Sequence, residues 1–211
     1  MSDSILAWHF IGSDRKLKHG DNRIVQVGET LSVEGELELC AYGLHASRRV
    51  IDALSYASNN ALVVCRVECW GDVVEGSDKL VARYRKTLWM LDVERILHQF
   101  SVDVAREALD LFSPSSTNPK VQTANRLHYE LLDLKQQWIN GELTDEDWAT
   151  AWDAAWAAAW ATAWATARAA AWAAAQDAAR AAAWAAAQDA ELDEFNTRLE
   201  NMILAEFEKQ A

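Results

Sequence analysis

Short runs in which apolar and polar residues alternate occupy the first half of the chain, and runs of helical period occupy the second. Ser4 to Ile11 reads as a strand, and Arg23 to Val27 and Glu36 to Cys40 alternate as half-buried strands do, with Gly20, Gly28 and Gly35 as punctuation. Ser47 offers an N-cap oxygen to a short helix from Arg49 to Ala57, where Val50, Leu54 and Ala57 share a face. Ala61 to Trp70 is β-branched and apolar, which predicts a central strand with Cys65, Val67 and Cys69 on one face and Val64, Arg66 and Glu68 on the other. Gly71-Asp72 is the predicted turn into another extended stretch, Lys79 to Leu91. Asp92 can cap a helix running to Phe112, along which Val93, Ile96, Leu97, Phe100, Val104 and Leu109 make an apolar stripe. Strands around short helices predict an α+β domain over residues 1–112.

Residues 113–119, with two prolines among small polar residues, read as a linker, and a connecting helix is expected within 120–141, stopped by Gly141 at the C′ position. Leu143 to Trp148 is a helix start: Thr144 can be the N-cap, and Asp145, Glu146 and Asp147 complement the positive end of the helix dipole. From there an alanine/tryptophan-rich helical region is predicted over 144–208, since no Gly or Pro follows Gly141. Trp148, Trp152, Trp156, Trp160, Trp164, Trp172 and Trp184 share one four-residue lattice with Arg168 and Arg180, and a twelve-residue unit beginning at Arg168 recurs at Arg180. Each step of four residues overshoots a turn by about 40°, so the row winds around the helix and excludes a straight heptad coiled coil. Indoles four apart can pack on one another, and Arg168 and Arg180 can lie over neighbouring rings. Exposed together, these rings would aggregate, so packing against alanine-lined helices of the same chain or of copies of it is expected. Glu191 to Glu208 returns to amphipathic patterning, with Leu192, Phe195, Leu199, Met202 and Ile203 forming a packing or oligomerisation face.

The formal net charge is −12, with 13 basic and 17 acidic side chains over residues 1–112 and 7 and 15 beyond. That balance disfavours a phosphate backbone as partner, although an acidic surface can imitate one. The three cysteines, Cys40, Cys65 and Cys69, form no regular framework, and Cys65-x3-Cys69 lacks the knuckle spacing of a structural zinc site, so buried thiols and no metal are expected. No apolar run is long enough to span a membrane, and Ile5 to Phe10 is too short for a signal peptide, so a cytoplasmic location is expected. Lys79, Arg83, Arg85 and Lys86 are the one basic cluster, and its ordinary reading is a solvated strand face.

Cys40-Ala-Tyr-Gly43-Leu44-His45-Ala46-Ser47, then Asp78-Lys79-Leu80-Val81-Ala82 and the Ala/Trp tail, resemble an uncharacterised family of phage and prophage proteins. The resemblance implies an infected or lysogenic bacterial host and little chemistry. The order Trp8-His9-Phe10, Gly43-Leu44-His45, Tyr56 and the strand Leu62 to Val67 is in turn similar to that of the ADP-ribosyltransferase fold. That resemblance implies His9 on the ribose of NAD and Tyr56 stacked on nicotinamide. The chain departs from it in lacking a Gly directly after His9 and in offering only Glu68 and Glu94 for the catalytic carboxylate. His45, beside a glycine turn, can bind an anion, exchange protons or hold its own loop by hydrogen bonds.

With no complete catalytic constellation, the sequence predicts a non-enzymatic phage or prophage accessory protein without a cofactor, acting by protein contact or self-association through its C-terminal helices. The alternative is an ADP-ribosyltransferase-like enzyme or a binder of NAD derivatives, with His9, His45 and Tyr56 as the ligand contacts. A nucleic-acid mimic is a third reading.

Overall fold

The structure is a computed structural model that describes residues 4–18, 21–57, 62–112, 119–151, 153–154 and 181–210. It is a mixed α+β fold, with a five-stranded antiparallel sheet and several helices. The described residues divide into two compact units, Met1–Glu94 with Ala190–Ala211, and Arg95–Asp189.

In the first unit, β1 (Ile5–Ile11), β2 (Thr30–Ser32), β3 (Leu44–Ala46), β4 (Val63–Glu75) and β5 (Leu80–Asp92) form the sheet. The order is β1-β4-β5-β2, and β3 joins the same edge of β5 as β2, further along. Cys65, Val67 and Cys69 are fully buried with Ala7 and Ile11, and Val63 is buried beside them, as the alternation predicts. Ser47 does not cap a helix. Its N–H and carbonyl bond to Trp8, at 2.9 and 2.7 Å, so the chain just after β3 closes onto β1. The strands therefore run in a ring, β1-β4-β5-β3 and back to β1.

Gly71-Asp72 does not turn the chain. Gly71, at φ +85°, sits in an irregularity of β4 between Trp70 and Val73, where the Tyr84 ring leaves no room for a β-carbon. The chain turns instead at Gly76, whose N–H bonds to the Lys79 carbonyl at 2.8 Å. The stretches Arg23 to Val27 and Glu36 to Cys40 are not strands either. Each makes one isolated bridge, Lys16 with Ile24 and Glu38 with Tyr42, inside the loops that lead to β2 and β3.

Helix α1 (Val50–Ser55) has no side-chain cap of its own. Its Ile51 N–H is met by Asn196 Oδ1, and Arg49 pairs with both Asp52 and Asp193. Asn196 and Asp193 come from the last helix, α4 (Ala181–Gln210), whose amphipathic stripe is used within the chain. Leu199 and Ile203 are fully buried, and Phe207 stacks on Trp89, which meets Trp8 edge-on.

The second unit holds α2 (Glu94–Phe112) and α3 (Pro119–Ile139). Asp92 accepts the Glu94 N–H, as predicted for the helix start. Gln99 and Gln136 exchange amide bonds, Arg106 meets Asp133, and Tyr129 donates to Asp110, an antiparallel pairing. Gly141, at φ +78°, closes α3, and Thr144 and Asp147 form a reciprocal capping box for the helical residues 145–151. No helix among the described residues is long and apolar enough to cross a membrane.

Candidate functional site

Beyond the Trp8–Ser47 bridge the paired edges of β1 and β3 part, and residues 8–11 and 43–46 line the same cavity of about 790 Å³. A cavity of this size suits a small molecule. His9, His45 and Tyr56, the three ligand contacts expected from separate segments, all line it.

Gly43 shapes one wall. At φ +126° its ideal β-carbon would stand 2.2 Å from Val81 Cγ2, so only glycine permits this path. The turn it makes is held by His45, whose Nε2 accepts the Cys40 N–H and whose Nδ1 faces the Gly43 carbonyl, both at 3.1 Å. This pairing fits a neutral ring with its proton on Nδ1. His45 therefore braces the loop that frames the cavity.

His9 lies half-buried on β1, opposite Cys65 of β4. Burial, then the positive charge of Arg85, hold its pKa well below the usual histidine value, with His45 and Lys18 acting in the same direction. The ring is neutral at pH 7, and no hydrogen bond reaches it among the described residues. Tyr56 stands at the rim, exposed, with its hydroxyl on Asp78 and the Lys79 ammonium 4.1 Å from its ring centre. One face of that ring is thus taken, which leaves the other for stacking. The Cys40 thiol, also at the rim, and the Tyr56 phenol raise the Lys79 pKa.

Arg85 was not to be found by composition. The solvated face expected for its cluster is wrong at this residue, which is 1 % exposed and lines the cavity. Cys69 of β4 and Leu31 of β2 are its register neighbours. Its Nη1 donates to the His45 carbonyl, whereas Nε and Nη2 have no partner among the described residues. Burial lowers its pKa from the usual guanidinium value. Two others of the cluster are spoken for: Arg83 bonds Asp72 and the carbonyls of Val33 and Gly35, and Lys79 covers Tyr56.

Among the described residues, five cationic side chains line the cavity, Lys16, Lys18, Arg23, Lys79 and Arg85, against one carboxylate. That carboxylate, Asp21, is held bidentately by Arg23 at 2.6 and 2.7 Å, which lowers its pKa. Glu68 and Glu94 are not among the lining residues. The arrangement can therefore recognise an anion, and its described carboxylates do not supply a general base.

Cys65 and Cys69 are buried, and burial pushes their thiols up to about 12 and about 11, while Cys40 is exposed. Of the residues expected to make the tail's contacts, Trp148 packs near Trp138, with Lys135 over both rings. Trp152, Trp156, Trp160, Trp164, Trp172, Arg168 and Arg180 lie outside the described residues, as does the side chain of Trp184.

Residues 5–99 are similar to a family described as a domain of unknown function, DUF7666. The matched span includes all five strands and every cavity residue named above. No curated protein and no solved structure matches the chain.

Proposed function

We propose that the sheet domain is a receptor for a small anionic molecule, held where β1 and β3 part, and that it acts by binding. The observation that carries this reading is Arg85, a buried cation with two unpartnered nitrogens in the wall of a cationic cavity. A buried charge without a partner costs several kcal/mol, so a site that keeps one is built around a ligand that completes it. The absence of an available carboxylate among the described lining residues favours binding over transfer chemistry. In the accessory-protein setting that the sequence resembles, occupancy of the cavity is the signal and the C-terminal helices make the protein contact.

The NAD-derivative reading gains one observation, the convergence of His9 and Tyr56 on the same cavity. One experiment covers both. The full chain is titrated calorimetrically with a panel of small anions that includes NAD and ADP-ribose, before and after a bulky maleimide is coupled to Cys40. Cys40 is the exposed thiol and stands at the rim, so its conjugate plugs the mouth without touching the core. Saturable binding that the plug abolishes is the expected result. No plug-sensitive binding across the panel sinks the receptor reading, and release of nicotinamide from NAD would replace it with an enzyme.

A further inference from the structure

We infer that the floor of the cavity is a subsite for a terminal phosphate group, so that the ligand is a phosphate monoester whose organic part lies along the apolar wall. This rests on the receptor reading and goes further, because it names the group that Arg85 takes.

The argument starts from which nitrogens of Arg85 are used. A guanidinium offers two-donor edges, and the edge formed by Nε and Nη2 has its two N–H bonds pointing the same way. Nη1 is spent on the His45 carbonyl, and the two atoms without a partner are Nε and Nη2. What remains is thus a complete bidentate edge, matched to two oxygens of one oxyanion. The bond to His45 fixes the plane of that edge, and His45 is itself fixed by the loop bonds from Cys40 and to Gly43.

Both carboxylate and phosphate present two such oxygens. Charge and the second partner decide between them. Beyond Arg85 the described lining carries Lys16, with Lys79 held over the Tyr56 ring and the Arg23–Asp21 pair neutral overall, and this positive balance suits a dianion better than a monoanion. A neutral His9, lining the same cavity, has one N–H to give, which a third phosphate oxygen can accept and a carboxylate lacks. Burial decides between ester types. Arg85 is 1 % exposed and its Nε and Nη2 are closed off from solvent, so a ligand meets them only where the lining gives way, and the end of a molecule needs a smaller opening than a diester bearing groups on both sides. The remaining volume, about 790 Å³ in all, is bounded by Ile11, Leu17, Leu44 and Ala53, which favours an apolar or flat organic part over a bare ion.

The test uses three probes sharing one ring: phenyl phosphate, benzoate and diphenyl phosphate, titrated into the full chain by calorimetry, with 31P line broadening as a second readout. Phenyl phosphate is expected to bind at least about tenfold tighter than either of the others, the scale of one charge-assisted hydrogen bond. Arg85→Lys keeps a charge and loses the two-donor edge, so it should weaken phenyl phosphate by about tenfold or more. Benzoate equal to or tighter than phenyl phosphate overturns the phosphate assignment, and so does undiminished phenyl phosphate binding to a folded Arg85→Lys chain. If circular dichroism shows that this variant does not fold, the ranking of the three probes on the unaltered chain decides alone. Plug-sensitive binding of other panel members with no preference for phenyl phosphate removes the subsite and keeps the receptor. Loss of all plug-sensitive binding removes both.

Discussion

Replacing Arg85 by methionine should make the ligand-free protein more stable, because its buried charge is poorly compensated. Arg85 is 1 % exposed and has one hydrogen bond among the described residues, to the His45 carbonyl. Burying the charge costs several kcal/mol, and a hydrogen bond to a charged donor returns about 1.5–3 kcal/mol of it. Methionine fills a similar volume with no charge to desolvate, and it sits among Cys69, Leu31 and other apolar neighbours. The His45 carbonyl loses its donor, but that residue is only half-buried, which keeps this loss toward the low end of about 1–3 kcal/mol. The balance favours Arg85→Met by about 1–3 kcal/mol, a rise of about 2–4 °C in Tm for each kcal/mol in a chain of this size. Urea and thermal unfolding of the full chain, followed by far-ultraviolet circular dichroism, would measure it. Adding phenyl phosphate at about 100 times its Kd should stabilise the unaltered protein by about 2.7 kcal/mol and leave the variant where it was, so the order of the two proteins narrows or reverses. A variant less stable than the parent in ligand-free buffer would refute the reasoning, because it would show that the fold itself compensates the charge.

Two further outcomes follow from the cavity's frame. Gly43→Ala places a β-carbon 2.2 Å from Val81 Cγ2 at φ +126°, so it should cost at least about 3 kcal/mol in urea unfolding; a loss under about 1 kcal/mol would show that the turn at Gly43 is free to move. Because the folded pKa of His9 is depressed, the unfolded chain binds a proton first as pH falls below its ordinary value near 6.5. Stability is therefore full above pH 7 and lost toward pH 5 with a contribution of up to about 1.4 kcal/mol per pH unit, and His98, lowered by burial and by Lys135, acts with the same sign in the other unit. His9→Gln should flatten the urea midpoint against pH over that window, and an unchanged slope would deny that His9 is held neutral.

The elements legible in the sequence are those whose own pattern suffices to define them. Cys65, Val67 and Cys69 announce the buried face of β4, Asp92 and Gly141 mark helix ends, and Thr144 begins a helix with the capping box that its spacing allows. β2 and β3 were hidden because each is three residues long and is a strand only by virtue of β5 beside it. Arg23 to Val27 misled for the opposite reason. Its alternation is real, with Val25 buried and Ile24 exposed, but a single bridge to Lys16 is all the pairing it finds.

The same logic explains which part of the site could be read. His9, His45 and Tyr56 stand out as residue types, and the ring of strands brings them to one cavity. Arg85 could not stand out, because a run containing Lys79, Arg83 and Lys86 reads as a wetted strand. Only register assigns its face, and register depends on where the hairpin turns. A turn at Gly71-Asp72 pairs the wrong residues; the turn after Gly76 sets Arg85 opposite Cys69, whose burial is plain from its own strand.

The C-terminal helix completes the frame. Trp8, fully buried on the strand that carries His9, is covered edge-on by Trp89, and Trp89 is stacked under Phe207 at 4.3 Å. Asn196 and Asp193 of the same helix hold α1, which carries Ala53 and Tyr56 to the cavity. Leu199 and Ile203 add two fully buried aliphatic side chains, worth about 1.5–3 kcal/mol each. Residues 5–99 contain the site, but its walls are braced by a helix about a hundred residues further along the chain. The C-terminal helix is thus part of the frame of the sheet domain, and trimming it back from Phe207 should loosen the wall that carries His9.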